Sequence, residues 1–156
     1  MFNSQLSDGF TYYKNELELY MRGSYILIVE LKNDTIISIG KKGEKCFNKG
    51  YYIYVGSALN GLDQRIQRHL RKQKKIHWHI DYLLNHAVII DVFYKESKIR
   101  EECNIAKKLD GQLFSILGFG CTDCRCKSHL FYGSFEEIMS VVEKLQMNPY
   151  HLDANY

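Results

Sequence analysis

Long apolar runs are missing from this sequence. No stretch approaches the roughly 20 apolar residues that a membrane-spanning helix needs, so no membrane protein is expected. The segment from Met1 to Gln5 has no basic region followed by an apolar core, so no secretory signal is expected and a cytoplasmic protein is predicted. Internal repeats and low-complexity tracts are missing too, which argues against a solenoid or a disordered protein.

Cysteines are few and do not suggest a disulfide framework. The chain has five, an odd number, and three of them crowd together at Cys121, Cys124 and Cys126. Such crowding favours a metal site or close packing, and it agrees with an intracellular location.

The chain also has little excess charge of either sign, with a net charge of only +3. A value this low does not by itself indicate a nucleic-acid-binding protein. The distribution is more informative, since the segment from Arg65 to Lys75 is rich in lysine and arginine and contains no acidic residue. Localised positive charge is what phosphate binding requires, although the plainer alternative is a solvated helix face.

The rest of the composition is that of a soluble globular protein with one domain. Strand patterns at 25–31, 35–39 and 51–55 predict a three-stranded antiparallel meander, and 87–94 reads as a buried strand. Helices are predicted at 10–22, 62–72, 99–110 and from Phe135, with Ser134 as the N-cap of the last. The chain is therefore predicted to contain both strands and helices.

One stretch dominates the chain. Residues 50–58 read as a strand rich in tyrosine, isoleucine and valine, and a tight turn at 59–61 follows. The helix after the turn has an apolar residue at every fourth position, and Arg65 and His69 lie one turn apart at the edge of that stripe. Such a flank can face a phosphate while the apolar stripe holds the helix on its sheet.

This strand, turn and helix resemble part of a known nuclease family. Tyr54-Val55-Gly56, with Arg65 and His69 in the next helix, is similar to the second half of the GIY-YIG nuclease motif. Gly23-Ser24-Tyr25 is similar to the first half, with serine where the family usually has isoleucine. Residues 50–58, 77–84 and 118–132 also resemble the small Uri-type (DUF123-like) branch of that superfamily.

The resemblance implies the α/β fold class, with a small central antiparallel sheet flanked by helices. It also implies a GIY-YIG-like nuclease domain at 23–132. A helical extension at 1–22 would precede it, and a C-terminal helix and tail at 133–156 would pack on the same domain. The implied activity is hydrolysis of nucleic-acid phosphodiester bonds with Mg²⁺ or Mn²⁺, with DNA favoured over RNA. The implied catalytic residues are Tyr25, Tyr54, Arg65, His69 and Glu102, the last as the metal ligand. The implied nucleic-acid contacts are Gly56, Ser57, Arg68, Arg71, Lys72, Lys74, Lys75 and His77.

Glu102 is also a candidate functional residue on physical grounds that do not depend on the family resemblance. A helical projection of 99–110 places it among apolar residues, and a carboxylate facing a core costs several kcal/mol unless a cation or donor meets it. Glu102 therefore either pairs with an arginine such as Arg65 or binds a metal, and the metal is the preferred alternative.

Two further metal sites are considered. Cys121, Cys124, Cys126 and His129 could supply a tetrahedral zinc set, but the spacing is tighter than in common zinc modules, so packed thiols are preferred. Cys103 near them would also permit a redox pair. A His-x-His-x-Asp metal site at 77–81 is also considered, but a packed structural element is the preferred interpretation of these residues. Two other functions stay open: a non-catalytic nucleic-acid-binding module on the same scaffold, and an interaction protein stabilised by zinc or thiols.

Overall fold

The computed structural model describes residues 21–121 and 124–152. Eight strands lie in these ranges: β1 Gly23–Leu31, β2 Thr35–Ser38, β3 Glu44–Phe47, β4 Gly50–Ala58, β5 Val88–Glu96, β6 Phe114–Ser115, β7 Leu130–Gly133 and β8 Asn148–Pro149. Four α-helices accompany them: α1 Leu62–Leu70, α2 His79–Leu84, α3 Glu102–Asp110 and α4 Phe135–Leu145. The helix predicted at 10–22 falls almost entirely outside the described residues.

Six of the strands form one antiparallel sheet in the order β6-β7-β4-β1-β5-β8. β1 lies near the middle and pairs with β4 on one edge and with β5 on the other. The predicted α/β class with a central antiparallel sheet is therefore confirmed.

The predicted meander is wrong, because β2 does not join this sheet. β2 pairs with β3 in a separate two-stranded sheet, and β4 pairs directly with β1 along nine residues. The insertion between β1 and β4 therefore folds into its own hairpin, which turns Ile37 and Phe47 into the core. β5, which is distant in sequence, takes the other edge of β1.

Alternation along β1 separates two apolar layers. Tyr25 and Leu27 share one layer with α1, α2 and the β2–β3 hairpin. Ile26 and Ile28 belong to the second layer, together with α3 and α4. Because β1 is covered on both faces, almost all of its residues are buried and the strand reads as an apolar run.

The structure differs from the sequence-based expectation for β5 and for the start of α3, and it agrees for the start of α4. The strand predicted as buried at 87–94 runs over 88–96 and is only partly buried, with Val92 enclosed but Val88 56% exposed. α3 begins at Glu102 and leaves Ile99 65% exposed. The N-cap at Ser134 is confirmed, since its hydroxyl accepts the Glu137 N–H at 3.1 Å.

Within the described ranges, none of the helices has the length and apolar character needed to cross a membrane.

Gly56 is required by close approach of the Tyr25 ring. The two residues face each other across β1 and β4. A Cβ atom at position 56 would lie 2.4 Å from both the ring carbon and the hydroxyl oxygen of Tyr25. No rotation of a small side chain can relieve such an overlap.

We therefore expect Gly56→Ala to destabilise the protein by about 1–3 kcal/mol, the usual range for an overpacked core. The matched control is Gly111→Ala, because a Cβ there meets nothing within 4 Å. Urea unfolding of both variants checks this, and equal unfolding midpoints would contradict the close approach.

Candidate active site

A cavity of about 620 Å³ opens at one end of the central sheet. Four of the five residues predicted to be catalytic line it: Tyr25, Tyr54, Arg65 and Glu102. The fifth, His69, lies directly behind Tyr25 and is almost wholly buried. One concave site thus collects side chains from β1, β4, α1 and α3.

The strand register brings the two tyrosines together. Tyr54 pairs with Leu27 and Gly56 with Tyr25, so both tyrosine side chains lie on the same face of adjacent strands. Burial raises the pKa of both phenols well above their ordinary value, so each keeps its proton at neutral pH.

Tyr25 is held by a hydrogen bond. Its hydroxyl lies 2.7 Å from Nε2 of His69, and the positively charged Arg65 side chain lies close to it. Burial lowers the pKa of His69 to about 3, so the imidazole is neutral under physiological conditions. A neutral ring has one nitrogen free to accept a proton.

Acid should destabilise the protein because His69 is buried in its neutral form. Its pKa is about 3 in the folded state and 6.5 as the ordinary value. Between these values the unfolded chain binds a proton that the folded chain does not, so stability is lost as pH falls through this window. The slope is up to about 1.4 kcal/mol per pH unit.

Urea unfolding at pH 7 and at pH 4 tests this loss of stability in acid. His69→Gln should lose less stability than the wild type over this interval, and His86→Gln, at an exposed position, should behave as the wild type. Equal pH dependence in all three proteins would contradict the assignment.

Arg65 is fixed in place without a carboxylate partner among the described residues. Its Nη1 donates to the backbone carbonyl of Ser57 at 3.0 Å, and its guanidinium lies 4.3 Å from the centre of the Trp78 ring. The expected alternative of an ion pair with Glu102 is not found. The charge of Arg65 therefore stays available to an anion in the cavity.

Glu102 is the first residue of α3. That helix packs Ile105, Ala106 and Leu109 against the far layer of the sheet, yet its N-terminal end reaches the cavity. Glu102 is half-buried and forms no ion pair in the described part of the chain. Its carboxylate is thus open to a ligand.

Some residues of the basic segment are bound within the chain. Arg68 donates two hydrogen bonds to the buried carboxylate of Asp81, at 3.1 and 3.0 Å. Burial alone would raise the pKa of Asp81, but the hydrogen bonds from Arg68 and from the amides of Trp78 and His77 lower it. The Lys74 ammonium donates to two carbonyls at the end of α1.

Other predicted contacts face solvent or the cavity. Arg71, Lys72 and Lys75 are exposed beyond the end of α1. His77 is exposed at the cavity rim, where its ring packs edge-on against Trp78 at 4.4 Å. Ser57 also lines the cavity.

A second constellation lies beside Glu102. One donor atom from each of Cys103, Cys124, Cys126 and His129 lies within 4.8 Å of the others. The Cys124 and Cys103 sulfurs are 3.4 and 4.0 Å from Nε2 of His129. Among described residues this is the one cluster of at least three potential metal ligands, and its soft donors suit zinc rather than Mg²⁺.

The predicted set of Cys121, Cys124, Cys126 and His129 differs from this cluster in one member. The Cys121 thiol points to the backbone carbonyl of Lys127 at 3.7 Å, and Cys103 of α3 takes its place. The His-x-His-x-Asp alternative is not found either. Asp81 is bound by Arg68, and Nδ1 of His79 accepts the Gly120 N–H at 2.9 Å.

A family profile described as "Domain of unknown function DUF123" matches residues 24–148. The chain belongs to the DUF123 family. No curated protein and no solved structure matches the chain. The DUF123 span contains every residue of the cavity and of the Cys₃His cluster described above.

Sequence reasoning missed two side chains of the DUF123 cavity. The sequence predicts a packed element at 77–81, but the guanidinium groups of both Arg65 and Arg68 lie over the Trp78 ring of that element, at 4.3 and 4.4 Å. Arg100 lines the cavity just before α3. The spacing of the two α1 arginines, followed by the chain's one tryptophan, is a signal that could have indicated the stacking.

Proposed function

We propose that this DUF123 protein is a GIY-YIG-type endonuclease that hydrolyses phosphodiester bonds of nucleic acid, with DNA as the favoured substrate. The observation that carries the proposal is the meeting of Tyr25, Tyr54, Arg65 and Glu102 in one cavity. These residues come from four different elements, and their types match the needs of phosphodiester hydrolysis.

The residues fit a divalent cation at Glu102. Mg²⁺ and Mn²⁺ are usually held by one or two carboxylates, with water and substrate phosphate completing the shell. Glu102 supplies one half-buried carboxylate with no cationic partner among the described residues, and it faces the same cavity as Arg65. When bound, the cation would stabilise the negative charge that develops on the leaving oxygen.

Arg65 would bind the phosphoryl oxygens. Because Ser57 and Trp78 already fix the guanidinium, little reorganisation is needed when charge builds on the phosphate. Tyr54 would position the phosphate from the neighbouring strand.

Tyr25 would orient the attacking water. Its raised pKa keeps it a neutral phenol, so it acts through hydrogen bonding rather than as a phenolate. The proton released by the water would reach the buried His69 through Tyr25, which would accept it while passing its own hydroxyl proton to Nε2 of His69 and so remain a neutral phenol. The bound substrate would thus lie between Tyr25 and the carboxylate of Glu102.

The substrate strand would continue over the exposed residues Arg71, Lys72 and Lys75. Their contacts to phosphates are sequence-independent, so they would add affinity without selecting a base sequence. Arg68 and Lys74 would support this surface indirectly, since both are engaged within the chain.

The test is incubation of the purified protein with branched, duplex and single-stranded DNA and RNA in Mg²⁺, Mn²⁺ or chelator. We expect internal cleavage of DNA that requires the cation, and binding that weakens steeply with salt. Lys72→Ala with Lys75→Ala should weaken binding, whereas Lys107→Ala with Lys108→Ala, on the exposed side of α3, should not.

Two outcomes would contradict the proposal. Binding without cleavage of any substrate would favour a non-catalytic nucleic-acid-binding module. Affinity that is indifferent to salt would exclude the basic surface as the docking site.

A further inference from the structure

The Cys₃His cluster joins two distant parts of the chain. Cys103 is the second residue of α3, whereas Cys124, Cys126 and His129 lie between β6 and β7. His129 is 3% exposed, and its carbonyl accepts the Val55 N–H at 2.9 Å, so the residue is held against the sheet. The Cys126 sulfur lies within 4.8 Å of the sulfurs of Cys103 and Cys124.

The donor spacing is that of a tetrahedral ion site. Zn–S bonds of about 2.3 Å and Zn–N bonds of about 2.0–2.1 Å place a sulfur and a nitrogen about 3.6 Å apart in a tetrahedron. The observed sulfur–nitrogen distances of 3.4 and 4.0 Å lie on either side of that value. Little movement would be needed to bind an ion.

The same spacing favours one ion over a polynuclear cluster. In an iron–sulfur cluster, thiolates bound to different irons stand farther apart than thiolates sharing one ion. All four donor atoms here lie within 4.8 Å of one another.

The segment that carries three of these donors gives an independent reason for a cross-link. Fourteen residues, 116–129, connect β6 to β7, and the described part of them contains no helix or strand. Loops of about this length without secondary structure are uncommon in compact domains unless they have a function or an added restraint. A bound ion would supply that restraint.

We propose that Cys103, Cys124, Cys126 and His129 bind one Zn²⁺ in a closed, four-coordinate structural site. The three thiols lose their protons on binding, and the neutral imidazole donates through Nε2. With four protein ligands no position is left for substrate, so the ion stabilises the fold and does not take part in cleavage.

The site also bears on Glu102, because Cys103 follows it directly in α3. An ion at Cys103 ties the N-terminal end of this helix to the β6–β7 segment and so fixes the Glu102 carboxylate at the cavity. This consequence rests on the proposed function, whereas zinc binding itself does not.

The first measurement is the metal content of the full chain purified without added metal or chelator. Elemental analysis by inductively coupled plasma mass spectrometry should find one zinc per chain. A thiol reagent should modify two cysteines in the native protein, Cys46 and Cys121, and all five after denaturation with a chelator. Chelation followed by added Zn²⁺ should lower and then restore the unfolding temperature.

Variants then separate the ligands from their neighbours. Cys103→Ser and Cys124→Ser should weaken zinc binding by more than about 100-fold, beyond the effect of losing an outer contact. The matched controls Cys121→Ser and Cys46→Ser should retain one zinc. If a ligand variant fails to fold, the wild-type protein loaded with Co²⁺ still reports the site through the visible absorption of tetrahedral thiolate coordination.

Several results would overturn the zinc site: a protein without bound metal, an iron–sulfur cluster, a Cys103–Cys126 disulfide, or loss of zinc from Cys121→Ser but not from Cys103→Ser. Bound zinc in a protein that cleaves nothing would overturn the proposed function and support the zinc site. Full cleavage by a folded protein from which bound zinc has been removed by chelation would overturn only the inferred restraint on Glu102.

Discussion

Replacing Glu102 with glutamine will abolish cation-dependent cleavage while leaving the protein folded. The change keeps the size of the side chain and removes the charge that would hold the cation. Stabilisation by the cation contributes several kcal/mol and about 1.4 kcal/mol is tenfold in rate, so cleavage should fall by orders of magnitude. Stability should change little, because Glu102 forms no ion pair among the described residues.

Binding should respond in the opposite direction. Without a divalent cation, the Glu102→Gln protein should bind DNA as well as the wild type or better, since a negative charge has left a phosphate site. Single-turnover cleavage, fluorescence anisotropy and thermal unfolding on the same preparation measure the three quantities.

The neighbouring carboxylate provides the control. Glu101 is bound to Lys95 at 3.2 Å and does not line the cavity, so Glu101→Gln should cleave at the wild-type rate. A folded Glu102→Gln protein with full activity would rule out the metal assignment. Lost activity that only follows the unfolded fraction would make Glu102 a structural residue.

Tyr25→Phe should produce the second largest loss, about 10²–10⁴-fold in cleavage rate, which is the usual contribution of a positioned proton-transfer group. The variant keeps the ring that packs against Gly56 and removes only the hydroxyl. It thereby breaks the 2.7 Å hydrogen bond to His69 and the contact with Arg65. Because these partners lie in a buried site, we also expect a loss of about 1–3 kcal/mol of stability.

Tyr94→Phe is the matched control for this variant. Tyr94 lies opposite Tyr25 across β1 and β5, but its ring packs on Tyr150 and it does not line the cavity. Cleavage by this variant should be unchanged. Wild-type cleavage by a folded Tyr25→Phe protein would exclude a role for the hydroxyl in the reaction.

Local patterns predicted much of this molecule. Alternation in β1 placed Tyr25 and Leu27 on one face, and the cap at Ser134 marked the start of α4; both depend on interactions within one element. The pairing of β1 with β4 also brings Tyr25 and Tyr54 to one face, as alternation had suggested.

Interactions between distant elements were not predictable in the same way. On a helical projection Arg68 shares a flank with Lys72, and only the folded chain shows that Asp81 binds it. Spacing favoured Cys121 as a ligand because it is near Cys124 in sequence, whereas Cys103 arrives from another element. Strand patterns likewise do not show which strand is the neighbour of which, so β2 was placed in the wrong sheet.

The central position of β1 has a consequence for biosynthesis. β1 can pair with β4 early, but its other edge stays open until β5 has been made. Synthesis of the chain between β1 and the end of β5 takes about 3–13 s at ~5–20 residues per second, and during that time a strand with two apolar faces exposes unpaired backbone groups. Chains truncated before Val88 keep that edge open permanently, so the domain cannot be cut back past β5 to give a smaller soluble binding module.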